Sequence, residues 1–377
     1  MENEKKKKSN KKLLLIVIPM IIGGLIGGFA GFFGAEYFDR NNYSWMEIVC
    51  FLIGVIVAIY LQIIVHEGGH LILGLLTGYR FVSFRVESFI LYKKQGKFHV
   101  GRYALAGTGG QCLMAPPAMQ DGTMPYILYN FGGVIMNLIV SIGAFVLFRC
   151  FTWNSFMKGL YLSVIFIGIV FAITNGIPMH VGGIDNDGYN ALTLGKHPEA
   201  LRALWLQLKV NEMQTEGVRL KDMPEEWFQK PTEEEMQNSL AAAIEAMRCN
   251  RLMDMQLLEE TNQAIGEVVQ SKNAMIGLQK MLLQIDQVFC EILGEKRESI
   301  LAQFKDKEID AFMKSMKNFP SVLRTQYAYA LVIENDAEKA EKLKKQLEKI
   351  TKNHPFEGEV EGEWEFVRLC EQSLMKQ

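Results

Sequence analysis

The chain of 377 residues is long enough for two domains, and its 49% hydrophobic content and net charge of −2 average over two unlike halves. Residues 13–194 hold apolar runs long enough to cross a membrane, whereas 197–377 are rich in Glu, Lys and Gln and hold none. The absence of a basic patch interleaved with aromatics sets nucleic-acid binding aside. Six scattered cysteines without a CxxC pair exclude a disulfide framework and a thiolate zinc site, and fit a reduced compartment or burial in lipid.

The chain opens on Lys5–Lys8, Lys11 and Lys12, then an apolar run from Leu13 to about Ala35. A secretory signal peptide starts in the same way, but this run is longer and no small-x-small cleavage site closes it. A retained first transmembrane helix over 13–35 is therefore expected. Its glycines Gly23, Gly24, Gly27, Gly28 and Gly31 recur at small-xxx-small spacing, which permits close helix packing. Further spans are expected at 45–76, 126–148 and 159–178. The loop after the second carries Arg80, Arg85, Lys93, Lys94, Lys97 and Arg102, while Glu36–Ser44 holds one basic residue and the 149–158 loop only Arg149 and Lys158. The positive-inside rule then puts both termini and the 80–122 loop in the cytoplasm, in agreement with an even number of spans.

Phe81–Val86, Phe89–Tyr92 and Phe98–Tyr103 are rich in β-branched and aromatic residues around a Gln95-Gly96 turn. They predict a β-hairpin over 80–103, alone or as part of a small sheet. Its edge either takes up an extended peptide by strand addition or lies on the membrane surface as plain structure. Gly107–Gly110 and Met114–Pro117 read as breaker-rich loop. From 197 onward the pattern is helical, with helices expected at 233–248, 252–269, 273–293, 299–316, 321–333 and 336–350. Thr232 would cap the first, ahead of Glu233–Glu235. Tyr327–Ala330, Asn335-Asp336 and Ala337–Ile350 resemble a tetratricopeptide hairpin. The expected fold is an all-α polytopic membrane protein of about four transmembrane helices with a small membrane-associated β-hairpin, plus an all-α helical-hairpin, tetratricopeptide-like C-terminal domain. The divisions are 1–12, a basic cytoplasmic N-terminus; 13–196, the transmembrane domain; and 197–377, a soluble cytoplasmic helical domain.

His66-Glu67-Gly68-Gly69-His70 places two imidazoles at i and i+4, one turn apart on one helix face. Neutral imidazole nitrogens bind zinc, and three protein ligands plus a water make a catalytic site. Glu67 lies between the two histidines and can take a proton from that water, with no bulk from Gly68 or Gly69 in the way. Ionisable groups deep in an apolar run are costly and call for a reason. Packing or capping at the end of a buried helix is the structural alternative. A third ligand is required. The other histidines are His99, His180 and His197, and the fourth span runs directly into Asn175–Gly188, dense in polar residues and glycines.

On these residues the chain resembles the site-2 protease family of intramembrane zinc metalloproteases, which pairs His-Glu-x-x-His on one transmembrane helix with Asn-x-x-Pro…Asp-Gly two helices later. Residues 175–178 match Asn-x-x-Pro, Asp187-Gly188 match Asp-Gly, and one helix intervenes. The resemblance covers roughly 45–195. The chain departs from the family pattern by about four extra residues between the two motifs, by Tyr189 in place of a second glycine, and by Pro178-Met179-His180 in place of Pro-x-Pro. The resemblance implies Zn2+ held by His66, His70 and Asp187, with Asp185 the runner-up and His180 an outsider. It implies Glu67 as the catalytic base. It also implies Asn175 as a donor near the substrate carbonyl, unless Asn175 merely caps its helix.

The expected activity is that of a zinc metalloendopeptidase acting on membrane-spanning or membrane-associated peptides near the cytoplasmic face of a cell membrane, a bacterial plasma membrane by preference. A helix in lipid has satisfied backbone bonds, so such a substrate must unwind locally before water reaches it. The expected partners are that substrate, the lipid bilayer and a protein partner for the helical C-terminal domain. The rivals are a catalytically inactive relative serving as a membrane peptide-binding adaptor, and a transport or immunity component. Intact His66, Glu67 and His70 speak against the first, and the lack of duplicated spans against a transporter.

Overall fold

The computed structural model describes residues 45–103, 108–181, 184–352 and 354–375. The expected span over 13–35 and the basic N-terminus lie outside the described residues. Three long apolar runs form helices α1 (Trp45–Leu76), α2 (Ile127–Cys150) and α3 (Ser155–Gly176). Within them Leu52–Leu76, Ile127–Cys150 and Phe156–Gly176 are long and apolar enough to cross a membrane. Leu52, Ile56, Ile142 and Phe166 on these helices are exposed, which suits lipid and not water. Helix α3 begins earlier than expected and stops at Gly176, short of Pro178, because the residue before a proline is driven towards extended conformations.

The described residues divide into two compact units, one holding those up to Gln62 together with Asn137–Ala172, the other holding those of Ile63–Met136 and from Ile173 onward. The first packs Ala58, Ala144, Val164 and Ile167 around a small polar knot. Asn137 Nδ2 donates to Gln62 O at 3.0 Å and to Gln62 Oε1 at 2.6 Å, and Gln62 Nε2 donates to Val164 O at 2.8 Å. The three helices are thus cross-linked by amides. Lipid tails provide no hydrophobic drive for helix association, so packing and such bonds must supply it. Gly168 admits the knot: a Cβ there would collide with Ser141 Oγ and Gln62 Nε2.

The second unit contains a four-stranded antiparallel sheet in the order β3-β2-β1-β4, from β1 (Arg80–Val86), β2 (Phe89–Lys94), β3 (Lys97–Arg102) and β4 (Gly110–Ala115). Gln95 and Gly96 both have positive φ, 48° and 77°, as a two-residue hairpin turn closing Lys94 on Lys97 requires. The stretch read as loop after this hairpin is in fact strand β4, paired from Arg80↔Ala115 to Val86↔Gly110. Its glycines and prolines flank a short β-capable core, Gln111–Met114, and the partner strand overrides them. Arg85, almost wholly buried, ties this end together by donating from Nη1 to Glu87 O at 2.7 Å and from Nη2 to Thr108 Oγ1.

The rest of this unit is helical: α4 (Asp187–Thr193), α5 (Pro198–Thr215), α6 (Ser239–Asp254), α7 (Leu258–Gln270), α8 (Gly277–Leu293), α9 (Glu298–Leu301), α10 (Lys307–Ser315), α11 (Pro320–Ala328), α12 (Ala337–Thr351) and α13 (Glu357–Met375). Helix α5 packs on β4, α5 on α6, α6 on α7, α7 on α8, and α11 on α8, α12 and α13. Three boundaries differ from the sequence reading. Thr232 exchanges capping hydrogen bonds with Glu235, but they head only a 3-10 turn, and Asn238 caps the α-helix that follows. Helix α6 runs on to Asp254 and reverses through Gln256 at φ 61°, a left-handed position without the glycine that would announce it. The single helix expected over 299–316 is broken at Asp306, whose carboxylate caps α10. Cys112, Cys150, Cys249, Cys290 and Cys370 are free thiols.

Beneath these helices Arg324, 1% exposed, is clamped by Asp286 at 2.5 Å and Glu363 at 2.9 Å, its guanidinium over the Phe289 ring. One turn before Glu363, burial pushes the Glu359 carboxyl up from 4.5 to about 8, aided by the nearby charges of Glu363 and Asp286.

Gly168→Leu is expected to lower stability in a thermal melt of the detergent-solubilised protein by about 1–3 kcal/mol. Gly143→Leu, where a Cβ meets nothing within 4 Å, serves as a neutral control. The raised Glu359 carboxyl holds its proton longer in the folded than in the unfolded chain, so its contribution falls as pH rises from 4.5 through about 8. Melting midpoints across that window should therefore decline less in Glu359→Gln than in the wild type.

Candidate metal centre

Helix α1 presents His66 and His70 one turn apart, with their Nε2 atoms 3.2 Å from each other. They are seated by backbone contact with α2. A Cβ on Gly69 would overlap the Gly132 carbonyl, one on Gly132 would meet Gly69 O at 2.5 Å, and one on Gly133 would strike the His66 ring. Gly69 thus serves helix approach, whereas Gly68 has nothing within 4 Å. His70 Nδ1 lies 2.7 Å from the Tyr129 carbonyl oxygen, to which it donates as the Nδ1–H tautomer, leaving the Nε2 lone pair free for a metal.

Asp187 reaches the pair from the first turn of α4, with Oδ2 at 3.1 Å from His66 Nε2 and 3.5 Å from His70 Nε2. The local fold explains its position. Gly188 sits so tightly on the end of α3 that a Cβ would overlap Gly176 O and lie 3.0 Å from Asn175 O. Asn186 acts as the staple: Nδ2 donates to Thr174 O at 2.8 Å and Ile177 O at 2.6 Å, and Oδ1 accepts from Met179 N at 3.0 Å and Tyr189 N at 2.9 Å. One side chain therefore satisfies carbonyls at the end of α3 and caps the start of α4.

Between Pro178 and Asn186 the chain folds out as a two-stranded ribbon, β5 (His180–Val181) and β6 (Ile184–Asp185), which accommodates the longer spacing between the two motifs. The ribbon also accounts for the two other candidate ligands. His180 Nδ1 lies 2.6 Å from Asp185 Oδ1, and Asp185 Oδ2 accepts from Ser239 Oγ at 2.9 Å, so these groups are engaged with each other and with α6. Asp187 is the carboxylate brought to the histidine pair, and His66, His70 and Asp187 form a group able to hold a metal ion among the described residues. Asn175 lies in the last turn of α3, its backbone against Gly188.

The donor set fits zinc. Two ligands at about 2.0–2.1 Å in a tetrahedral arrangement stand about 3.3 Å apart, and the separations here are 3.1, 3.2 and 3.5 Å. Asp187 Oδ2 is buried and accepts no hydrogen bond by geometry, as an oxygen directed at a shared cation would be. Burial pushes the Asp187 carboxyl up, but the two imidazoles outweigh it and hold the group well below the usual carboxylate range. Glu67 lies against the start of β4. A Cβ on Gly110 would stand 2.7 Å from Glu67 Cγ and Oε1, and the Cys112 backbone N–H donates to the carboxylate.

The sequence reading did not single out Tyr129, Gly132, Gly133, Gly110 or Asn186. The Gly132-Gly133 doublet inside an apolar run was the one available signal, since glycine is a poor helix former kept where backbones meet.

Metal analysis of the purified protein should find about one zinc per chain, lost in His66→Ala, strongly reduced in Asp187→Ala and retained in Asp185→Ala. Asn186→Ala, which leaves every ligand in place, is expected to weaken zinc affinity by about 10-fold or more.

Residues 54–352 match Peptidase family M50, and this stretch contains His66, Glu67, His70, Asn175 and Asp187. Searches of the curated proteins and of the solved structures gave no match. A match over most of the chain, around a histidine-histidine-aspartate group beside an apolar helix, identifies the chain as a member of peptidase family M50, the site-2 protease family of membrane metalloproteases.

Proposed function

We propose that the chain is a zinc metalloendopeptidase that hydrolyses peptide bonds in membrane-spanning or membrane-associated peptides. The observation that carries this reading is the convergence of His66 Nε2, His70 Nε2 and Asp187 Oδ2 at tetrahedral spacing, with Glu67 adjacent in the same helical turn. Zinc bound there supplies Lewis acidity, which polarises a carbonyl and makes water acidic enough to be deprotonated near neutral pH.

The chain's own groups do the rest. Glu67 accepts the proton of the attacking water and returns it to the leaving amine, the two halves of one acid–base cycle. The Cys112 N–H and the backbone of Gly110 fix the carboxylate in place, so that it does not need to be ordered during the reaction. Asn175, whose backbone rests against Gly188, is the donor assigned to the substrate carbonyl. β4 is an edge strand of the sheet and begins where Glu67 rests. An unwound substrate segment laid along it would have its backbone groups paired while a bond is presented for cleavage.

The topology belongs to the same proposal. With 13–35 as a fourth span, both termini and the basic 80–122 loop face the cytoplasm of a bacterial plasma membrane. His66 follows Trp45 by about 20 residues, or about 30 Å of helix, which puts the site near the cytoplasmic face. The helix hairpins of the C-terminal domain are read as a tetratricopeptide-like module.

Wild-type protein reconstituted with zinc and a panel of single-span membrane peptides should release fragments, detected by mass spectrometry. Glu67→Gln should retain zinc and lose turnover by about 100-fold or more. Zinc bound without cleavage of any peptide, in wild type as in variant, would favour the adaptor.

A further inference from the structure

A general base works only at a fixed separation from the histidines beside it, so something must hold the Glu67 carboxylate as firmly as the ligands are held. The hydrogen bonds around β4 show what does. This strand lies at one edge of the sheet, with β1 as its paired neighbour. Glu87 N donates to Gly109 O at 2.8 Å, which makes Val86↔Gly110 a non-hydrogen-bonded pair of the antiparallel ladder, and Phe84↔Cys112, two residues along, another. The N–H and C=O of Cys112 therefore both point away from β1, out of the edge of the sheet. Cys112 is buried, so both groups need partners from other elements.

Each finds one. The Cys112 N–H donates to the Glu67 carboxylate of α1. The Cys112 carbonyl accepts from Tyr129 Oη, on α2, at 3.1 Å. The backbone of the same tyrosine holds a metal-binding group: its carbonyl oxygen lies 2.7 Å from His70 Nδ1. The ring between these two contacts is itself held. Tyr129 is buried, it stacks on Tyr79 with 4.6 Å between ring centroids and 13° between planes, and a Cβ on Gly74 would stand 3.2 Å from Tyr129 Cδ2.

We infer that the Tyr129 phenol is a positioning residue for Glu67: by bonding the Cys112 carbonyl it fixes the edge of β4 on which the Glu67 carboxylate rests, while the Tyr129 carbonyl fixes His70. The inference rests on the peptidase reading of Glu67. Helix α1 sets where Glu67 and His70 leave the backbone, but it does not set the several side-chain torsions of a glutamate. Referring base and ligand to one residue of α2 sets their separation. Without Oη the buried Cys112 carbonyl has lost its donor, the strand edge shifts to find another, and its N–H moves off the Glu67 carboxylate. The phenol thus acts through Cys112 and not on the substrate. Its two roles can be separated by one substitution, because the hydroxyl belongs to the side chain and the carbonyl to the backbone.

Tyr129→Phe removes the hydroxyl and keeps both the ring stack and the carbonyl at His70, so it should fold in a thermal melt and carry about one zinc per chain, as the wild type should. The probe is a peptide hydroxamate, which chelates zinc and hydrogen-bonds the carboxylate beside it, titrated by calorimetry into the zinc-loaded full chain in detergent. Tyr129→Phe should weaken its binding about 10-fold, and Glu67→Ala at least as much. In the Glu67→Ala background Tyr129→Phe should add less than about 2-fold, because its effect passes through Glu67. With a cleaved peptide, kcat should fall about 10-fold in Tyr129→Phe while KM stays unchanged. Hydroxamate binding equal to the wild type overturns the inference, and so does an equal loss with and without Glu67, which a merely structural tyrosine would give. Hydrogen–deuterium exchange on the zinc-free chain reads the same link without a metal. Exchange in the β4 segment containing Cys112 should quicken in Tyr129→Phe and in Glu67→Ala, and unchanged exchange in Tyr129→Phe overturns the inference. A wild type that binds neither zinc nor hydroxamate sinks the peptidase reading, and the exchange result still decides whether Tyr129 holds the seat of Glu67.

Discussion

Three donor atoms from segments far apart in sequence must meet within 3.5 Å, and the second unit is arranged around that constraint. Side chains do not achieve it by reaching. The backbones approach until only glycine fits: Gly69 against Gly132, Gly133 against the His66 ring, Gly188 against Gly176. Each contact would be lost to a single Cβ. The candidate metal centre is thus a consequence of close backbone packing, and His66, His70 and Asp187 themselves adopt ordinary positions on a helix and at a helix start.

The same economy appears in the parts that hold the ligands. Tyr129 contributes a backbone carbonyl, not its ring, to set the His70 tautomer. Asn186 ties the end of α3 to the start of α4 with four hydrogen bonds from one amide. Gly110 provides the space in which Glu67 rests. None of these groups contributes to the donor set, yet each restricts a member of it or, at Gly110, the adjacent Glu67. Such restriction lets a site act without reorganising when charge develops.

The helical domain follows a different logic. In the first unit, amides cross-link apolar helices because lipid does not drive them together. Around Arg324, by contrast, charged groups are buried among aromatic rings. Ion pairs in such a place recover their desolvation cost only when every lone pair and proton is matched.

Much of the architecture was legible in the sequence because it depends on neighbours along the chain. Apolar runs of sufficient length mark the helices α1, α2 and α3, the i, i+4 spacing puts His66 and His70 on one face, and Gln95-Gly96 marks its hairpin by the backbone geometry the turn requires. Boundaries without a local marker were misread: the strand β4, whose flanking glycines and prolines resemble a loop, and the turn at Gln256, which lacks a glycine. The roles of Gly69 and Gly133 could not be read from spacing, since a glycine does not announce which backbone it will meet. Nor could spacing separate Asp187 from Asp185, two residues apart in one polar segment. Tertiary structure separates them, because the β5–β6 ribbon turns Asp185 to His180 and Ser239 while the staple at Asn186 turns Asp187 to the histidines. What the chain specifies locally is the kind of group and its phase on an element. Which groups meet is decided only when distant backbones come into contact.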